Sequence, residues 1–169
     1  MESDKIILFL KRALIVALVF VMQTVLADKM RILGISPNFS LALVLVIAFK
    51  NYPSYGLYAA LILGVLTDAV SGRIFGSYTF LFVLISELIM NYYTKLFTES
   101  FLFECLGGLV FNFLFSMLYG IGEWLFYSSF THIFFKIAFF ECLYNQIIFM
   151  IFLFISKKFK KKRRSIFRI

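Results

Sequence analysis

The sequence has very few of the residues from which catalytic and metal centres are built, with one histidine and two cysteines in 169 residues. His132 cannot form a metal site or a catalytic triad alone. Cys105 and Cys142 lie inside apolar stretches with no Cys-x-x-Cys spacing, which is typical of small core residues. The sequence also has no glycine-rich phosphate loop, nucleophile motif or paired-carboxylate site. We therefore expect no enzymatic activity, no metal and no cofactor.

Charge is also scarce. Only 15% of the residues are charged and 62% are hydrophobic, with a mean hydropathy of +0.94. Soluble domains are roughly 25% charged and 45–50% apolar. The charges moreover cluster at the ends of long apolar stretches. This pattern excludes an ordinary soluble domain and predicts an all-α membrane protein, a compact bundle of six transmembrane helices with no second folded domain.

Six apolar stretches define the predicted spans: residues 12–33, 35–50, 54–71, 75–93, 101–127 and 133–155. They form one bundle over residues 1–155, and a basic cytoplasmic tail follows over residues 156–169. The second span is short, because residues 35–49 would rise roughly 22 Å against a hydrocarbon core of roughly 30 Å. Ser36 and Pro37 are typical of a helix N-cap and first helical position.

The first apolar stretch has a second interpretation. A basic start and the 15 apolar residues 13–27, ending in Val25, Leu26 and Ala27, also resemble a secretory signal with a cleavage site. The stretch is at the upper length limit for such a signal, and further spans follow it. We expect it to be the first spanning helix.

Lysine and arginine set the orientation of the spans. With six spans, thirteen basic residues lie on the side of the termini, whereas three lie in the opposite loops and Lys136 lies inside a span. Both termini are therefore expected in the cytoplasm.

The tail carries eight basic residues and no acid over positions 157–168. Near an anionic leaflet each basic residue contributes about 1 kcal/mol of binding free energy. We expect the tail to lie on anionic lipid; docking on an acidic cytoplasmic partner is the alternative, and nucleic acid is not expected. The residues expected at the membrane surface are Lys157, Lys158, Lys160, Lys161, Lys162, Arg163 and Arg164.

One ridge organises the middle of the chain. Small residues recur at every fourth position with one acid among them, a spacing that keeps them on one helix face and lets another backbone approach closely. We expect the helix to end near Val70 or Ser71, so that the last two members belong to a turn and the next helix start. The ridge is a candidate helix-packing or partner-binding face: Gly56, Ala60, Gly64, Asp68, Gly72 and Gly76.

Polar residues inside the spans are functional candidates. The simplest expectation is structural pairing, of Asp68 or Glu123 with Arg73 or Lys136, and of Glu141 with Asn112. A partner helix or a ligand cavity are the alternatives that remain. For Glu87 and Glu104, which lie towards the cytoplasmic ends of their spans, we expect solvation at the membrane interface.

The central stretch resembles the rod shape-determining protein MreD family. The resemblance consists of Pro37-Asn38-Phe39 opening an apolar span and of the ridge with glycines at positions 56, 64, 72 and 76 and Asp68 between them. It covers residues 35–85. The family often has an acid after the proline, where this chain has Asn38.

The resemblance implies a non-enzymatic subunit of the bacterial cell-elongation machinery in the inner membrane. Its expected partners are a single-span MreC-type protein with a periplasmic domain and, indirectly, the actin-like MreB and the peptidoglycan synthases. Carried onto this chain, Gly64, Asp68, Gly72 and Gly76 would be the shared face of the family.

A transporter subunit is the alternative function. The family's fold is similar to that of the substrate-binding subunits of energy-coupling-factor vitamin transporters, which dock through small residues of the first helix. Ala13 and Ala17 have that spacing. The outer loops at residues 71–76 and 128–132 are short, however, and short loops argue against a capped ligand site.

Overall fold

The computed structural model describes residues 2–32, 34–50, 53–71, 74–96, 100–127 and 134–166. Within these ranges the chain is helical apart from turns and an isolated bridge between Ile32 and Ile35. The helices are α1 (Glu2–Val25), α2 (Phe39–Phe49), α3 (Pro53–Ser71), α4 (Ser77–Leu88), α5 (Phe101–Tyr127) and α6 (Phe134–Ile166). A π-helical turn, Ile89–Tyr93, and a last α-helical turn, Thr94–Leu96, extend α4. The predicted all-helical architecture is thus confirmed for the described residues.

Within the described residues, three stretches are long and apolar enough to cross a membrane by themselves: Ile6–Val25, Phe101–Phe126 and Ala138–Lys158. Two shorter apolar helices, Phe39–Phe49 and Tyr55–Ser71, lie between the first and the second of these. We call the outer end of the bundle the end at which α1, α3 and α5 finish and α2, α4 and α6 begin.

Several helix ends differ from the predicted spans. α1 begins ten residues earlier than expected and finishes at Val25, because residues 26–30 form turns. α2 begins only at Phe39, so the expected cap at Ser36 is wrong. The N-cap is Asn38, whose Oδ1 accepts a hydrogen bond of 2.9 Å from the N–H of Leu41. α6 continues past the expected span to Ile166, so the described part of the tail is helical.

The short helix α2 is the core of the bundle. All of its residues from Phe39 to Phe49 are buried, and it packs against α1, α3, α4, α5 and α6. Its sequence, FSLALVLVIAF, is apolar on every face, which is typical of a helix enclosed by other helices. The interior of the bundle is therefore built around this helix rather than around the ridge of α3.

The surrounding helices carry apolar side chains on their outer faces. Phe9 and Leu14 of α1 and Leu102 and Leu125 of α5 are each about two-thirds exposed. So many exposed large apolar side chains are unusual for a soluble monomer. This is the surface expected of helices that face hydrocarbon.

A cluster of aromatic rings from several helices packs together at the other end of the bundle. The ring of Phe49 lies 5.4 Å from that of Tyr93 and 5.7 Å from that of Phe149, measured between centroids. Gly107 and Gly108 of α5 make room for these rings, since a Cβ on Gly108 would lie 2.2 Å from the Phe149 ring. The hydroxyl of Tyr93, at the end of the π-helical turn, donates a 2.6 Å hydrogen bond to the carbonyl of Phe103.

Candidate functional site

α3 and α4 form a tight antiparallel pair around Gly64. A Cβ built on Gly64 would lie 2.4 Å from the Cα of Thr79, and no real Cβ tolerates such a contact. The absence of a side chain therefore permits the two backbones to touch, as the spacing of small residues predicts. The partner of this part of the ridge is α4 of the same chain.

Asp68 lies one turn after Gly64 and is 3% exposed. Its carboxylate accepts hydrogen bonds from the backbone N–H of Tyr78 at 3.0 Å and of Thr79 at 2.9 Å, and from the hydroxyl of Thr79 at 2.6 Å. These amides belong to the first turn of α4, which has no partner for them within the helix and where negative charge is favoured. A side chain of α3 thus caps the N-terminus of α4.

The α4 N-cap position explains why this cap comes from another helix. Gly76 occupies it with φ = 93°, a left-handed conformation that glycine adopts without strain, and glycine has no side chain to cap with. Asp68 therefore supplies the hydrogen-bond acceptor that the N-cap residue Gly76 lacks. Sequence reasoning placed both residues on one ridge and expected Asp68 or Glu123 to pair with Arg73 or Lys136. Arg73 and the side chain of Lys136 lie outside the described residues.

Two further ridge positions, Ala60 and Gly56, also face inward. Ala60 is fully buried, and a Cβ on Gly56 would lie 3.0 Å from the Sδ of Met90. Gly72 lies outside the described residues. The ridge from Gly56 to Asp68 is consequently covered by the protein itself.

The start of α2 is held by side chains from α1 and α6. Gln23 Oε1 accepts from the N–H of Phe39 at 2.7 Å and from that of Ser40 at 3.3 Å, and Asn145 Oδ1 accepts from the N–H of Asn38 at 2.8 Å. Backbone donors within a membrane need such partners, because lipid tails supply none. Sequence reasoning missed Gln23, which is unremarkable in a stretch of apolar residues.

Asn112 is fully buried, and its amide donates a 3.0 Å hydrogen bond to Gln146 Oε1. Gln146 in turn donates a 2.9 Å bond to the carbonyl of Cys105. The expected bond between Asn112 and Glu141 is wrong, because α5 meets the face of α6 that carries Gln146. Glu141 lies on a different face of α6 and lines a cavity.

That cavity, of about 590 Å³, opens at the outer end of the bundle. Residues from the outer ends of α1, α3, α4, α5 and α6 line it, together with the segment that leads into α2. Its polar lining comprises Gln23, Asp28, Arg31, Ser36, Thr67, Ser71, Tyr78, Ser116, Tyr119, Glu123 and Glu141. Two of the intramembrane candidates, Glu123 and Glu141, thus meet at one cavity, whereas Asn112 does not line it.

An ion-paired cluster occupies the opposite end. The carboxylate of Glu104 is 7% exposed and binds Lys50 Nζ at 3.1 Å and also Lys157 Nζ. Lys157 lies 4.7 Å from the centre of the Phe101 ring as well, within the range of a cation–π contact. The expected solvation of Glu104 is therefore wrong, since two lysines more than fifty residues away neutralise it. Lys158 is exposed, and the side chains of Lys160, Lys161, Lys162, Arg163 and Arg164 lie outside the described residues.

A shallow groove of about 340 Å³ runs along the outside of α4. Glu87 and Asn91 lie in it and are hydrogen-bonded to each other. The rest of its lining is apolar or aromatic: Phe80, Val83, Leu84, Leu88 and Tyr92. It is the place where the described structure presents a carboxylate and an amide on an outer helix face.

Among the residues that the structure describes, no group of three or more histidine, cysteine, aspartate or glutamate side chains could hold a metal ion. Both cysteines are free thiols. The chemistry available at the described sites is hydrogen bonding and ion pairing.

Comparison with known proteins identifies the family. No curated protein and no solved structure matches the chain, so the expected likeness to energy-coupling-factor subunits gains no support. Residues 3–163, nearly the whole chain, match the family described as rod shape-determining protein MreD. The helices with outward apolar faces and the capped α3–α4 pair are thus those of a rod shape-determining membrane protein, and the chain belongs to the MreD family.

Proposed function

We propose that this protein is a non-enzymatic scaffold subunit of the bacterial cell-elongation complex in the inner membrane. In this role it binds an MreC-type single-span protein and, through it, connects to the actin-like MreB and to peptidoglycan synthases. The observation that carries the proposal is the family match over residues 3–163. Both termini lie in the cytoplasm, as the distribution of basic residues favours.

The position of the ridge bears on where such a partner binds. Gly64 and Asp68 are covered by α4, so a partner helix cannot reach them in this structure. A binding surface is therefore better sought on the outer faces of the bundle. The ridge would act indirectly, by giving those faces their shape.

The α4 groove is the outer surface that we propose for the partner helix. The polar pair of Glu87 and Asn91 lies among apolar and aromatic side chains, and polar side chains in membrane helices usually face protein or water. A single helix that carries a hydrogen-bond donor at the depth of Glu87 would satisfy the carboxylate and cover the apolar lining. Helix association in membranes depends on such packing and polar contacts.

A tagged pull-down in mild detergent with mass spectrometry tests the scaffold function and the binding of an MreC-type protein. We expect a single-span protein with a periplasmic domain, together with wall synthases. Recovery of ATPase subunits and a coupling membrane protein instead would refute the scaffold function.

A matched pair of variants tests the groove. Val83→Trp fills it, whereas Val110→Trp makes the same change on an exposed face of α5. We expect Val83→Trp to lower partner recovery at least fivefold and Val110→Trp to leave it unchanged. Equal recovery with both variants would exclude the α4 groove as the interface without touching the scaffold function.

We also propose that the basic end of α6 binds anionic lipid. With about 1 kcal/mol for each basic residue near an anionic surface, several such residues give firm but salt-sensitive binding. A peptide of residues 156–169 should bind vesicles with anionic phospholipid and not neutral ones. Equal binding to both would refute the proposal.

A further inference from the structure

The cavity at the outer end is rich in hydrogen-bond acceptors. Its described lining carries three acids, Asp28, Glu123 and Glu141, and Arg31, which is bound to Asp28 at 2.8 Å. A carboxylate has about four acceptor positions, so a carboxylate in an ion pair still accepts hydrogen bonds from other donors. The lining therefore suits a ligand with several O–H groups.

The floor of the cavity contains an unused hydroxyl. Ser116 is 2% exposed, and its Oγ has no hydrogen-bond partner among the described residues. A buried polar group without a partner is costly and calls for an occupant of the adjacent space. Ser86 is equally buried and also without a partner, but it does not line the cavity. It provides a matched control.

Aromatic rings form one wall. The rings of Tyr78 and Tyr119 lie 4.9 Å apart, and that of Phe115 lies nearly parallel to Tyr119, at 13° and 5.9 Å. Tyr78 and Tyr119 both line the cavity. Flat apolar surface beside hydroxyls and carboxylates complements a sugar ring, which has C–H faces and O–H edges.

We propose that this cavity binds a neutral, polyhydroxylated ligand of the sugar class from the outer side of the membrane. The volume of about 590 Å³ falls within the roughly 300–1,000 Å³ of small-molecule sites. The sugar hydroxyls donate to the carboxylates of Glu123 and Glu141 and exchange hydrogen bonds with Ser116. A neutral ligand brings no charge into the membrane. The proposal is independent of the scaffold function.

Thiol protection in lipid nanodiscs tests it. Cys105 and Cys142 are replaced by alanine, and Ser36→Cys at the partly exposed edge of the cavity serves as the reporter. The rate of reaction with a membrane-impermeant maleimide is measured with glucose, N-acetylglucosamine and their disaccharides at saturating concentration. We expect at least one of these to slow labelling threefold or more. A diamine and a polyether without O–H groups serve as comparison probes.

The outcomes separate the possibilities. Protection by none of the neutral sugars, or protection by the diamine alone, would overturn the proposal in favour of a water-filled cavity or a cation site. In the same reporter protein, Ser116→Ala should lower the affinity for the protecting sugar about fivefold to tenfold, as expected for one lost neutral hydrogen bond. Ser86→Ala should leave that affinity unchanged. Equal effects of the two variants, with folding checked by gel filtration, would also overturn it.

Discussion

Asp68 of α3 holds Thr79 of α4 by two hydrogen bonds, one of 2.9 Å from the backbone N–H and one of 2.6 Å from the side-chain hydroxyl. The backbone of Thr79 also rests against Gly64, one turn earlier on α3. Two ridge residues four positions apart thus meet one residue of the neighbouring helix. Steric fit and polar pairing therefore fix the same register between α3 and α4.

Substitutions of Asp68 should follow the number of acceptors that remain. Asp68→Asn keeps one acceptor oxygen and should be tolerated, whereas Asp68→Ala leaves buried donors unpaired at about 1–3 kcal/mol each. Asp68→Lys should abolish accumulation of the protein, because a cation would face the N-terminus of α4. Membrane levels and the thermal midpoint in detergent measure these effects. Asp28→Ala, at a largely exposed side chain, is the control, and equal accumulation of the Asn and Lys variants would contradict burial.

Two glycine-to-alanine changes should act in opposite directions. At Gly64 the new Cβ would strike the Thr79 backbone, and overpacking of this kind costs about 1–3 kcal/mol. At Gly122 in α5 a Cβ would meet nothing within 4 Å, and alanine favours the helix by up to about 1 kcal/mol. The thermal midpoint should fall for the first variant and not for the second. A fall of the same size in both would show that the close contact does not limit stability.

The Glu104 cluster should be sensitive to single changes and tolerant of paired ones. Glu104→Ala leaves Lys50 and Lys157 without their counter-ion, and breaking a buried pair in this way costs roughly 3–5 kcal/mol. The double variant Glu104→Met with Lys50→Met removes both charges of one pair and leaves only Lys157, whose side chain is partly exposed, so it should recover much of the loss. Unfolding of the double variant and of the single variants Glu104→Met and Lys50→Met, compared as a double-mutant cycle, measures the coupling. An additive cycle would refute a direct ion pair.

At Gly108 and Phe149, a loss of side-chain volume at one position should compensate a gain at the other. A Cβ on Gly108 would overlap the fully buried Phe149 ring, so Gly108→Ala should destabilise the protein by about 1–3 kcal/mol. Phe149→Leu frees space, and the double variant should be more stable than Gly108→Ala alone. Gly122→Ala with Phe149→Leu is the matched combination. Because a Cβ on Gly122 meets nothing within 4 Å, the effects of these two substitutions on stability should simply add.

The helices that the sequence predicts best are those with polar boundaries. α5 spans the predicted residues 101–127, and α3 ends at Ser71 as expected, because a long apolar stretch or a glycine-rich turn marks these ends. The end of α6 could not be predicted from hydropathy, since lysine and arginine continue a helix after its apolar part has finished.

The side-chain partners were harder to predict than the helices. Lys50 and Glu104 are 54 positions apart, and Asn38 and Asn145 are 107 apart. Helix periodicity reports which face of a helix is apolar but not which helix covers it. Asp68 was therefore recognised as a ridge residue, while its contact with the first turn of α4 depends on the fold.

The length of α2 also has a consequence for the shape of the molecule. Its eleven residues rise about 16 Å, roughly half of the hydrocarbon thickness, so it fills only one half of the central column. The other half, between Asn38 and the outer end, is left to an irregular segment and to the cavity. The residue at which α2 begins therefore sets how much of the space between the other helices is left to that segment and to the cavity.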